Sequence, residues 1–205
     1  LARAVEAERV ICAVTSQGAT GLGVAHVRHA GTGMTSVAPF SPSARSAAAP
    51  FARLFRKAGI GTEVLGDATS MLWGKLIISA SVNPVTAIAG VANGEVLNRP
   101  DLRDTAFAAA KEAEALARAK GIALPFPDAV AEVKKVCRVT AANFSSMLQD
   151  VKSGKRTEVE AINGAIVREA KRAKLAVPVN EMLLAKTLKL APRLLKRPAR
   201  TPSAG

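Results

Sequence analysis

Lys75, Ser79 and Asn83 follow one another at four-residue intervals, so a helix carries them as one polar stripe. The residues around them are nearly all apolar. An ammonium set deep in an apolar helix is costly unless it is paired or put to work. The work open to it is to stabilise negative charge developing on a substrate oxygen and to deliver a proton there. Serine and asparagine beside it can bind a hydroxyl or a carboxylate without adding charge. The competing reading is a lysine whose stem lies on apolar surface and whose head reaches water.

Two further polar clusters stand out. Asn143-Phe144-Ser145-Ser146-Met147-Leu148-Gln149-Asp150 closes an otherwise core-like stretch. Thr157-Glu158 is expected in the first turn of the next helix, where a carboxylate could simply face the helix dipole. Gly18, Gly21 and Gly23 follow a short apolar run and invite a dinucleotide-loop reading. Their spacing is GxxGxG rather than GxGxxG, and an alternating segment follows instead of a helix, so a glycine-rich hairpin is the better assignment. His26 and His29 fall in that alternating segment and read as surface or turn residues. Cys12 and Cys137 read as core residues.

The elements that must position these groups change character along the chain. Residues 1–6 read as the end of a helix. Residues 10–15 are apolar and β-branched, a buried strand; 25–30 alternate as an exposed strand, and 35–39 suggest another. Residues 40–50 are rich in Ser, Ala and Pro and read as a linker. Helical patterning then takes over. A short helix covers 51–58, a brief extended piece 62–65, and Asp67 caps a long helix to about Ser81 that Pro84 ends or kinks. A helix starting at Asn98-Arg99-Pro100-Asp101 stops at Gly121. Another follows Pro125 and Pro127 and runs to about Ser153. Thr157 with Glu160 forms a capping box for one reaching about Lys174, and Asn180 caps the last, near 181–190. The predicted fold is mainly α, an all-helical part preceded by a few strands.

Composition narrows the function classes. The chain has 205 residues, 49% hydrophobic and 22% charged, which excludes a mostly disordered chain. Unbroken apolar stretches stop well short of the roughly 20 residues of a membrane span, and the start does not read as a signal peptide. Two widely spaced cysteines exclude a disulfide framework or a cysteine-zinc site and fit a cytoplasmic protein. The net charge of +13 comes partly from a tail, because Lys186, Lys189, Arg193, Lys196, Arg197 and Arg200 follow Glu181 with no acid among them. Aromatic residues are 3% with no tyrosine, so a stacking platform for single-stranded nucleic acid is not expected. Anionic small molecules remain suitable ligands.

In this order and spacing, Trp73-x-Lys75-Leu76, Asn83-Pro84-x-Thr86-Ala87, Asn93-Gly94-Glu95, Ser145-Ser146-Met147-Leu148-Gln149-Asp150, Thr157-Glu158-x-x-x-Ile162-Asn163-Gly164 and Val177-Pro178-x-Asn180 resemble the signatures of the ketopantoate reductase family. The resemblance covers about residues 67–190, and residues 7–39 resemble the last strands of the family's nucleotide-binding domain. It implies residues 1–42 as the remnant of an NADP-binding Rossmann-type domain. Residues 43–190 would form a helical substrate-binding domain like the C-terminal domain of 6-phosphogluconate dehydrogenase, and 191–205 a basic tail. The chain opens at Leu1, and the glycine fingerprint is expected in a part preceding it.

The activity implied is reduction of the ketone of 2-dehydropantoate to pantoate, with NADPH as cofactor and no metal. Lys75 matches the family's catalytic lysine. Ser79, Asn83, Asn93 and Ser146 match substrate-binding positions, Glu158 matches a carboxylate that contacts the cofactor and orders the site, and Ala19 matches a backbone contact to the cofactor. Ser79 stands where the family commonly has an asparagine, which removes an amide donor. The partner expected is a small 2-oxo acid (ketopantoate), with neither membrane nor nucleic acid; a homodimer stays open. Three alternatives remain: a relative acting on another 2-oxo acid, a non-catalytic helical remnant that self-associates, and a nucleic-acid module driven by the tail.

Overall fold

The computed structural model describes residues 5–190. The expected helix end at residues 1–6 lies largely outside them, and the basic tail beyond Leu190 lies wholly outside. Two compact units are present, residues 5–75 with 122–125 and residues 76–121 with 126–190.

The first unit holds a three-stranded sheet in the order β1 (Ile11–Thr15), β4 (Thr35–Pro39), β5 (Thr62–Val64). β1 runs antiparallel to β4, with Thr15 opposite Thr35, and their hydroxyls are bonded at 2.9 Å. β4 runs parallel to β5, and helix α1 (Arg45–Lys57) makes the crossover. The central strand β4 is the buried one, with Val37 and Ala38 fully enclosed. Residues 10–15 were expected to be a buried strand, but β1 is half-buried to exposed because it is paired on one side only. Ala38, Ala68 and Met71 form this unit's apolar cluster, with Cys12, Val14 and Leu65 around it.

The glycine-rich segment is a hairpin: β2 (Gly18–Gly23) pairs antiparallel with β3 (His26–Gly31), and Ala25 takes a positive φ of 57° in the turn. Val24 and Val27 are exposed on this ribbon. The linker reading of residues 40–50 is corrected. A 3-10 turn at Pro42–Ala44 leads directly into α1, which begins before Phe51 and contains Pro50. Pro50 cannot donate to the Ser46 carbonyl, but both residues are on the exposed side, where solvent can satisfy that oxygen.

Helix α2 (Ala68–Ala89) carries the chain from the first unit into the second. Asp67 caps it as expected, its carboxylate accepting from the amides of Thr69 (2.9 Å) and Ser70 (3.1 Å). The helix does not end near Ser81 or at Pro84. It runs on to Ala89 and stops at Gly90, whose φ is +70°. Pro84 leaves the Ala80 carbonyl without its helical donor, and the Asn163 side-chain amide supplies one at 3.0 Å. Continuing through Lys75 and Pro84 also makes α2 long and apolar enough to cross a membrane, which unbroken runs did not suggest. More than half of its apolar window is buried against protein, as in a core helix.

The second unit is helical: α3 (Glu95–Asn98), α4 (Pro100–Ala119), α5 (Ala129–Val139), α6 (Ser146–Lys152), α7 (Asn163–Ala173) and α8 (Pro178–Leu190). On α4, Ala106, Ala109, Ala110, Ala113, Leu116 and Ala117 are fully buried, and this face of small residues lets α5, α7 and α8 approach closely. A second cluster joins Ala87, Met147, Leu148 and Val159.

Three boundaries differ from expectation. The helix expected to reach Ser153 is broken between Val139 and Ser146, where the loop pairs with Asn93 and Gly94. Thr157 and Glu160 do not cap α7, which begins at Asn163; Glu160 is instead engaged by Arg156. Asn180 lies inside α8. The first turn of α8 is capped by Glu112 of α4, whose carboxylate accepts from the amides of Val179 (2.8 Å) and Asn180 (2.9 Å).

Candidate active site

Helix α2 presents the polar stripe in two environments. Lys75 is exposed, and among the described residues it forms no ion pair. Of the two readings of Lys75, this exposure favours the one whose head reaches water. Ser79 and Asn83, one and two turns on, are half-buried. Nearby hydroxyls serve the backbone: Ser81 Oγ donates to the Ile77 carbonyl (2.7 Å), and Thr86 Oγ1 lies 3.0 Å from the carbonyls of Val82 and Asn83.

The second unit brings several of the signature segments together. Asn93 is buried, its Nδ2 donates to Thr140 Oγ1 (2.9 Å), and its backbone amide donates to the Asn143 carbonyl (2.9 Å). The Thr140 hydroxyl lies 2.7 Å from the Val136 carbonyl, a distance that requires the hydroxyl proton, so its lone pair receives the Asn93 amide. Asn93 Oδ1 is enclosed and has no partner among the described residues. Here Asn93 is a joint between two loops, with its amide turned inward.

Gly94 completes the joint. Its amide donates to the Ala141 carbonyl at 3.0 Å, and a Cβ at this position would lie 2.9 Å from the Ala141 Cβ. Thr86 reaches the third segment, with its hydroxyl 2.7 Å from that of Ser145, which caps α6 through the Leu148 amide.

Ser146, the first residue of α6, is exposed. Glu158 is also exposed, in a run of turns before α7, and its carbonyl accepts from the amides of Ala161 and Ile162. It is not in the first turn of a helix, so a role as a dipole partner of α7 does not hold. Ala19 lies in β2 of the first unit, where a register shift between Gly18 and Ala19 interrupts the ladder. Among the described residues no group of three His, Cys, Asp or Glu side chains could hold a metal. Burial pushes the Cys137 thiol up to about 11 and raises that of Cys12 to a lesser extent.

Some residues that organise this region were not singled out from sequence. Thr140 and Glu112 each serve a signature asparagine. The signal for Glu112 was an acid on the same α4 face as Ala109, Ala113 and Leu116, where an unpaired charge would be costly.

Residues 67–190 match the family model described as "Ketopantoate reductase PanE/ApbA C terminal". A 2-dehydropantoate 2-reductase of Archaeoglobus fulgidus is 40% identical over 176 residues, covering 86% of this chain and 59% of the relative. That of Halobacterium salinarum is 34% identical over 193 residues, covering 94% and 63%. The chain thus spans about three-fifths of the length of these relatives. Among solved structures, a PanE/ApbA family ketopantoate reductase from Ralstonia eutropha superposes with a TM-score of 0.78 at 29% identity, covering 88% of this chain and 59% of that one. A 2-dehydropantoate 2-reductase from Geobacter metallireducens gives 0.84 at 25% identity, covering 92% and 63%. The signature segments that the helical unit gathers lie within the matched residues, and on sequence and fold together this chain belongs to the ketopantoate reductase family.

Proposed function

We propose that the protein is an NADPH-dependent 2-dehydropantoate 2-reductase, reducing the ketone of ketopantoate to pantoate. The observation that carries this is the ordered set of family signatures in a chain 40% identical to a relative of that name. The nicotinamide supplies a hydride. What this chain must provide is orientation and charge. Lys75 has the chemistry for the developing alkoxide: an exposed ammonium with no competing carboxylate among the described residues can stabilise the oxygen and give it a proton. Ser79, Asn83 and Ser146 offer neutral hydrogen-bonding groups for the substrate's hydroxyl and carboxylate. Asn93 would join them by turning its amide outward.

Two features suit a nicotinamide nucleotide. Glu158 is exposed and can accept from a cofactor hydroxyl or amide. The interrupted ladder at Gly18/Ala19 suits Ala19 for a backbone contact. Ser79, where the family commonly has an asparagine, favours a second reading in which another 2-oxo acid is preferred. The test is nicotinamide oxidation by the full-length protein with a panel of 2-oxo acids, using NADPH and NADH in parallel. Ketopantoate-dependent oxidation of NADPH is expected. Turnover of a different oxo acid alone would select the second reading, and no turnover with any would sink both.

A further inference from the structure

The turn of α2 between Ser79 and Asn83 is held from behind by a series of hydrogen bonds that begins at Glu112, a residue outside every signature segment. Glu112 receives three donors: the backbone amides of Val179 (2.8 Å) and Asn180 (2.9 Å), and Asn180 Nδ2 (2.8 Å). Asn180 Nδ2 also donates to the Ala109 carbonyl at 3.1 Å, which leaves Asn180 Oδ1 to accept. It accepts from Asn163 Nδ2 at 3.0 Å, and the other hydrogen of that amide goes to the Ala80 carbonyl, also at 3.0 Å. Asn163 and Asn180 are both fully buried.

The series has only one workable polarity. Every group facing the Glu112 carboxylate is a donor, so both its oxygens must accept. This orients the Asn180 amide, which in turn orients that of Asn163. If Asn180 turned over, its NH2 would face the NH2 of Asn163, and the Ala109 carbonyl would lose its donor. The acceptor at the far end is the carbonyl that Pro84 leaves free, one residue after Ser79 and three before Asn83.

We infer that Glu112 is a positioning residue for the substrate-binding turn of α2, acting through Asn180 and Asn163 on the Ala80 carbonyl. The inference rests on the proposed roles of Ser79 and Asn83 in binding the oxo acid. Glu112→Gln keeps the size and places an NH2 among donors, so the mismatch passes along the series.

Two readouts test it. In the full chain, Glu112→Gln is expected to speed amide hydrogen exchange at residues 81–87 about tenfold to a hundredfold, with β4 unchanged. In the full-length enzyme it should raise the KM for ketopantoate by a similar factor, since small displacements of binding groups are costly, and leave the KM for NADPH unaltered.

Faster exchange confined to α4 and the first turn of α8, with α2 as in the parent, would overturn the inference. If Glu112→Gln does not fold, Asn163→Ala leaves the α8 cap in place. Faster exchange at residues 81–87 in that variant supports the inference, and unchanged exchange there overturns it. An enzyme inactive on ketopantoate whose α2 nevertheless responds would refute the proposed substrate and leave the positioning role standing.

Discussion

Asn163 donates its side-chain amide to the carbonyl of Ala80 at 3.0 Å, and that carbonyl is the one Pro84 deprives of its partner within α2. An asparagine 83 residues further along the chain from Ala80 thus lets a helix continue through its own proline. The two signature segments containing Pro84 and Asn163 are two halves of one structural device.

The device predicts non-additive stability. Asn163→Ala should cost about 1–3 kcal/mol, because it leaves a buried carbonyl and the Asn180 oxygen unpaired. In a Pro84→Ala background the cost should be smaller, since the introduced alanine has a backbone amide that can donate to the Ala80 carbonyl. Denaturant unfolding of the four proteins in this cycle measures the coupling. Strict additivity would mean that the Ala80 bond carries no weight.

At Gly94 the joint between loops depends on bare backbone. An added Cβ would lie 2.9 Å from the Ala141 Cβ and 3.1 Å from its Cα and carbonyl oxygen. Gly94→Ala is expected to destabilise by about 1–3 kcal/mol. Ala141→Gly should recover part of that loss, as read by thermal unfolding. A neutral Gly94→Ala would show that the loop yields freely.

Lys75 and Glu158 are both exposed, so their substitution should separate stability from chemistry. Lys75→Ala is expected to change unfolding free energy by less than about 0.5 kcal/mol. It should lower turnover by about 10²–10⁴-fold, the usual span for loss of a positioned proton donor. Glu158→Gln should likewise leave stability alone while impairing turnover. Normal kinetics in either variant would remove that residue from the site.

Cys137 gives a pH signature. Its buried thiol ionises at about 11, whereas an unfolded thiol ionises at about 8.5. Between these values the unfolded state releases a proton that the folded state keeps, so stability falls as pH rises through that window. Cys137→Ala should flatten that part of the stability profile. Alkylation of the native protein should reach half-buried Cys12 before Cys137. Faster labelling of Cys137 would contradict its enclosure.

Much of this was legible locally. The cap by Asp67, the stop at Gly121, the hairpin in place of a phosphate loop and the mainly α character follow from side-chain chemistry within a few residues of each feature. The family signatures were legible as well, because order and spacing are properties of the chain itself.

What the sequence by itself determined, then, was which residues could do chemistry and which family they belong to. Tertiary structure decided where helices continue or break. Helix α2 passes Pro84 because Asn163 supplies the missing donor, and the helix expected through residues 139–146 opens because its loop carbonyls bond to Asn93 and Gly94. It also decided that the Asn180 side chain bonds across to α4 and α7 while Glu112 does the capping, and that Lys75 meets solvent. The physical reason is the same for each buried group. A buried donor or acceptor takes whichever partner the fold brings within about 3 Å, and that partner can lie anywhere in the chain.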